Sequence, residues 1–232
     1  PSGSRNVNDT YLDSTNRQTR EFFILQRLNQ KVFTKPNLRN RNAERLIRHI
    51  SDRLNRDCPN HIHNWDIPHL IPTQQNNNHY IDEHKGNWRA QTYIQNSVAY
   101  SKCSTAIRGE KIGLALGYFH YLIHTIDPEE LHDTLPEFHI TPIYLNKLNN
   151  ILQNGHISEL TPDLDKQVHF VQQHSDWACI LENAKQSGDI RLRSIHGDPK
   201  ITNILFNKDS DEPIGLIDFD TVKPGLIQYD IG

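Results

Sequence analysis

The chain contains no methionine, only three cysteines, little excess of charge and no long apolar run. Cys58, Cys103 and Cys179 lie far apart and form no C-x-x-C pair, which argues against a disulfide framework and fits a reducing cytoplasm. The longest apolar stretch, IGLALGYF, is much shorter than the roughly 20 residues of a membrane-spanning helix, so no membrane partner is expected. Lys and Arg number 25 and Asp and Glu 28, for a net charge of −3, which gives no electrostatic case for nucleic acid as a partner. The missing methionine, the start at Pro1 and the stop at QYDIG are read as a fragment, with a C-terminal truncation expected.

A hydrophobic content of 35% with 8% aromatics still supports folding, and 232 residues allow one domain or two small lobes. VNDTYL and EFFILQRLN read as two strands joined by a polar stretch. In residues 36–54, Leu46, Ile47, Ile50 and Leu54 recur at helical spacing. HYIDEH and NWRAQTYI read as short strands around Gly86. A clear helix is predicted over 106–126, where Ile112, Ala115, Leu116, Phe119, Leu122, Ile123 and Ile126 make one apolar stripe. His120 and His124 within it read as packed or surface residues. Helices follow over 142–153 and 163–188, the last with Trp177, Ile180, Leu181 and Ala184 on one face and Gly188 as its stop. NILFN and PIGLIDFD form a late hairpin around KDSDE. Strands first and helices later suggest two lobes with a boundary near Tyr93 to Ser101, giving 1–95 and 96–232.

The chemistry concentrates in the last forty residues. SIHGDPKITNILF sets His196, Asp198, Lys200 and Asn203 just before a strand, and the hairpin then delivers Asp218 and Asp220. A strand, a tight turn and a returning strand would bring Asp198, Asn203 and Asp218 to one point. Phosphoryl transfer to a hydroxyl needs such a set. Oxygen ligands such as Asn203 and Asp218 suit Mg²⁺ on the phosphates, while Asp198 can accept the hydroxyl proton. Lys200 can reach the transferring phosphate as a point charge. Singly, Asp198 and Asn203 could be ordinary loop caps; their order together with Asp218 and Asp230 favours catalysis. Asp220 reads equally as a support beneath the metal site or as a polar strand end.

H-x-D-x-x-x-x-N followed by a hairpin and a further Asp is a kinase layout. With HGD in place of HRD, it resembles the aminoglycoside phosphotransferase and choline kinase family. HGDPKITNILF…LIDFDTVKPGLIQYDIG, with NVNDTYL, FILQRLN, WRAQTYI and FHIT upstream, is similar to its N-acetylhexosamine 1-kinase group. The resemblance implies an α+β, two-lobe protein-kinase-like fold, with a β-rich nucleotide-binding N-terminal lobe and a mainly helical C-terminal lobe. It implies ATP and Mg²⁺ as cofactors and a small-molecule acceptor. Gly3 to Thr10, with Gly3, Asn8 and Thr10 as contacts, would be the phosphate-covering loop. Arg27 would stand where most kinases carry a strand lysine, and Glu44 is a guess for its partner. Tyr93 and Ile94 would meet adenine, and His139 and Thr141 the acceptor. His196 and Asp230 would brace the catalytic loop.

Arg5 departs from the glycine the group tends to have in its first loop. The rivals are the same fold acting on homoserine, choline or an aminoglycoside, and an inactive nucleotide-binding fragment. A metallophosphoesterase would need further histidine motifs that the chain lacks. Cys58, His61 and His63 fall short of the four ligands of a structural zinc site.

Overall fold

The computed structural model describes residues 8–15, 21–33, 35–56, 64–155 and 161–231. They form two compact units: residues up to 134 together with those from 193 onward, and residues 135–192.

The first unit opens with strands β1 (Asp9–Ser14) and β2 (Phe22–Leu28), then helix α1 (Pro36–Arg56). Strands β3 (Leu70–Ile71), β4 (Tyr80–Ile81), β5 (Asn87–Thr92) and β6 (Ser97–Ala99) lead to helix α2 (Ala106–Ile123). The order β1-β2-β5-β3, with β4 also on β5, makes an antiparallel five-stranded sheet. The second unit is helical: α3 (Thr141–Asn154), α4 (Pro162–Gln173) and α5 (Ile180–Ser187). The chain then returns to the first unit with β7 (Arg193–Ile195), β8 (Ile204–Asn207), β9 (Pro213–Leu216), β10 (Lys223–Gly225) and the short α6 (Gln228–Ile231). β6, β8 and β9 form a three-stranded sheet, and β7 pairs with β10. The expected boundary at 93–101 falls inside the first unit.

The core of the first unit follows the predicted periodicity. Leu46, Ile47 and Ile50 of α1 meet Ala115, Phe119, Leu122 and Ile123 of α2, and both helices close over Ile204, Phe206 and Leu216 of the hairpin. This platform fixes the site, because the residues at both ends of the hairpin rest on it. Tyr118, outside the expected stripe, is buried edge-on against Trp65 at 5.1 Å.

Two helices end earlier than predicted, and a histidine closes each. His124 Nδ1 lies 2.6 Å from the Tyr121 carbonyl at the end of α2. His174 Nδ1 lies 2.7 Å from the Phe170 carbonyl and splits the helix predicted over 163–188. Each histidine side chain thus satisfies a last-turn carbonyl of its helix. A 3-10 segment, Ser175–Cys179, then leads into α5, which stops at Gly188 in the left-handed conformation, φ 83°.

Candidate active site

His196 lies at the end of β7 and is completely buried. Its Nε2 lies 3.0 Å from the Ile217 carbonyl, and its Nδ1 accepts the Asp198 N–H at 3.2 Å. Those partners require a neutral ring with its hydrogen on Nε2. Burial pushes the imidazole well down from its ordinary value, more than the nearby Asp230 charge can restore. Asp230 of α6 accepts the His196 and Gly197 N–H groups, each at 2.8 Å. His120 of α2 approaches the same carboxylate at 3.2 Å. Burial opposes ionisation of Asp230, but these donors outweigh it and hold the carboxyl below its usual range. Gly197 has φ +84°, and a Cβ there would sit 2.5 Å from the Thr221 carbonyl oxygen. The glycine of HGD is thus imposed by backbone geometry.

With that loop anchored, Asp198 is presented with its carboxylate 34% exposed, paired to Lys200. Five residues on, Asn203 is buried, and its Nδ2 donates to the Asp198 carbonyl at 2.8 Å. The Asn203 carbonyl in turn accepts the Ile217 N–H at 2.9 Å. This bond ties the start of β8 to the residue before Asp218. Asp218 takes a left-handed conformation, φ 72° and ψ 59°, which an aspartate tolerates better than most residues. The hairpin therefore converges as the sequence predicts, on Asp198, Asn203 and Asp218.

With its amide nitrogen engaged, Asn203 presents its side-chain oxygen, and Asp218 adds a carboxylate. Both are hard oxygen donors that suit Mg²⁺. Among the described residues no group of three His, Cys, Asp or Glu side chains could hold a metal ion alone. Asn203 and Asp218 are the residues that could hold a Mg²⁺ ion here.

Asp218 also lines a cavity of about 220 Å³ with Thr10, Gln26, Gln91, Tyr93 and Ile94. Tyr93 and Ile94, expected to meet adenine, and Thr10 of the expected phosphate loop thus share a cavity with Asp218. Gly3 and Arg5 lie outside the described residues, as do Cys58, His61 and His63. Asn8 has another task. Its Nδ2 donates to Asp220 at 2.7 Å and its Oδ1 accepts the Asn29 N–H at 3.0 Å, so it ties the end of β2 to the segment that follows Asp218. His139 and Thr141 belong to the second unit. There the His139 N–H donates to the Tyr144 hydroxyl at 3.1 Å, with φ 72°, and Thr141 opens α3.

Arg27 requires a correction. Side chains alternate along a strand, so Gln26 faces the cavity and Arg27 the opposite side. Arg27 is exposed, with its guanidinium 5.9 Å from the centre of the Trp88 ring. Glu44 has no ion pair among the described residues. Two buried cations that the sequence pattern does not single out, Arg89 and Arg39, face Asp220 instead. Arg89 Nη1 lies 2.5 Å from Asp220 and Arg39 Nε 3.9 Å from the same oxygen. Burial would raise the Asp220 carboxyl, but Arg89 and then Arg39 overcome it and hold the group ionised. Burial is also the main force that lowers Arg39 to about 10, although Asp220 opposes it. Asp220 is therefore a buried, ion-paired carboxylate two residues beyond Asp218 rather than an exposed strand end. The signal for Arg89 was present in NWRAQT, whose polar residues alternate; on β5 it is Asn87, Arg89 and Gln91 that are buried.

A model of the phosphotransferase enzyme family matches residues 4–232. A spectinomycin phosphotransferase in complex with ADP and spectinomycin is similar over 100% of this chain and 65% of its own, with 14% identity and a TM-score of 0.56. An aminoglycoside phosphotransferase from Alicyclobacillus acidocaldarius is similar over 94% of this chain and 64% of its own, with 12% identity and a TM-score of 0.54. A macrolide 2'-phosphotransferase from Brachybacterium faecium is similar over 98% of this chain and 70% of its own, with 12% identity and a TM-score of 0.53. This chain therefore spans slightly less than two thirds of the length of the first two structures. These likenesses are those of a shared protein-kinase-like fold. The family match over almost the whole chain and the loop built by Asp198, Asn203 and Asp218 agree, and the chain belongs to the phosphotransferase enzyme family.

Proposed function

We propose that the protein is a small-molecule kinase that transfers the γ-phosphate of ATP to a hydroxyl, with the anomeric hydroxyl of an N-acetylhexosamine as acceptor. The convergence of Asp198, Asn203 and Asp218 beside the cavity lined by Tyr93 and Ile94 carries this reading. The amino-sugar acceptor rests on the sequence resemblance alone.

Asp198 orients the acceptor hydroxyl and takes its proton as the oxygen attacks phosphorus. Lys200, half exposed on a flexible stem, moves from Asp198 to the transferring phosphate and balances its charge. Asn203 and Asp218 would hold Mg²⁺, which would supply positive charge to balance that of the phosphates. Asp230 and His196 keep the loop rigid, so Asp198 meets the hydroxyl without reorganisation.

The test is ADP release from Mg²⁺-ATP over N-acetylglucosamine, N-acetylgalactosamine, homoserine, choline and one aminoglycoside. Turnover confined to the N-acetylhexosamines supports the full reading. Turnover with another alcohol replaces the acceptor and keeps the reaction. Nucleotide binding without turnover on any acceptor overturns the kinase reading in favour of a binding module.

A further inference from the structure

No Lys or Arg is among the described residues that line the cavity beside Asp218. A nucleotide phosphate placed there would nevertheless need donors. A row of side chains across three strands supplies them. Thr10 of β1 is the direct partner of Gln26 on β2, and Gln26 is the direct partner of Arg89 on β5. Directly opposed residues share one face of the sheet. Arg89 is held from behind by Asp220 at 2.5 Å, and its Nε donates to Gln26 Oε1 at 2.9 Å. Gln26 Nε2 then donates to Thr10 Oγ1 at 3.2 Å.

The direction of this chain is forced. A guanidinium can only donate, so Gln26 must offer its oxygen to Arg89 and its nitrogen to Thr10. The Thr10 oxygen is then an acceptor on its inner side, which leaves the hydroxyl hydrogen as its contribution to the cavity. Each bond in a row that begins at a cation polarises the next. We infer that Arg89, Gln26 and Thr10 form a relay that converts a buried positive charge into neutral donors facing the cavity, and that these donors select a nucleotide phosphate oxygen. Gln26 and Thr10 are the specificity-determining residues, and Arg89 positions them. The inference rests on the nucleotide-binding reading of this cavity.

Gln26→Glu tests the direction. The new carboxylate keeps the shape and pairs with Arg89, but it accepts only. Thr10 must then turn its hydrogen inward, and the cavity gains acceptors in place of donors. Calorimetric titration with ADP and with adenosine separates phosphate recognition from base recognition. The relay predicts that Gln26→Glu weakens ADP by about tenfold or more, the value of a hydrogen bond to a charged group. Adenosine should change by less than about threefold, and the thermal midpoint should hold or rise as the introduced carboxylate pairs with Arg89. Thr10→Val removes the donor without adding charge and should also weaken ADP more than adenosine; it decides the matter if the first variant does not fold. Equal losses for ADP and adenosine in either variant would overturn the relay and leave a structural network. Wild-type protein that binds neither ligand would overturn the nucleotide reading beneath it.

Discussion

The two units treat their apolar side chains in opposite ways. In the first, the helices and the hairpin bury Phe119, Phe206, Leu46 and Leu216 almost completely, and the loop that carries Asp198 is anchored to that core. In the second, Val168 is the one buried residue among those described, while Trp177 is 64% exposed and Phe170 59%. Both units carry amphipathic helices. Periodicity states which residues share a face, but a face becomes a core only when another surface covers it.

Four changes sharpen or break that contrast. Phe119→Ala should cost the most, about 4 kcal/mol, because Phe119 packs against both His196 and Phe219 with ring centres 5.4 and 6.0 Å away. Chemical denaturation measures it, and a loss below about 1 kcal/mol would mean the first unit repacks freely. Asp220→Asn should cost about 3 kcal/mol by leaving Arg89 and Arg39 buried without their anion. A third effect is confined to acid pH. The folded His196 has its pKa held below the unfolded value of about 6.5, so unfolding takes up a proton. Its contribution is present above that pH and is lost as the pH falls below it. Wild-type stability should decline between about pH 6.5 and 5. His196→Asn, though less stable at neutral pH, should show a shallower slope there. Trp177→Ser, in the second unit, should change stability by no more than about 0.5 kcal/mol. A loss comparable to that of Phe119→Ala would show that a buried partner holds Trp177.

The fold was legible where local pattern and burial agree. The hairpin order, the α1 and α2 stripes and the placement of Asp198, Asn203 and Asp218 could be read because short connections bring near neighbours together. The relay and the Asp220 cluster could not. Asn8 and Asp220 are 212 positions apart in the chain, and no local rule connects them. A resemblance assigns a role by motif position, whereas alternation along β2 exposes Arg27 and turns Gln26 to the cavity. The helix ends at His124 and His174 were missed because histidine serves equally as core, surface or cap residue.

The most direct measurement compares ADP formation by the wild-type chain and by Asp198→Asn, with Mg²⁺-ADP affinity determined for both. Asp198 as the base predicts a loss in kcat on the order of 10² to 10⁴ with nucleotide affinity nearly unchanged. Retention of full activity by Asp198→Asn would contradict the assignment of the loop as the catalytic centre.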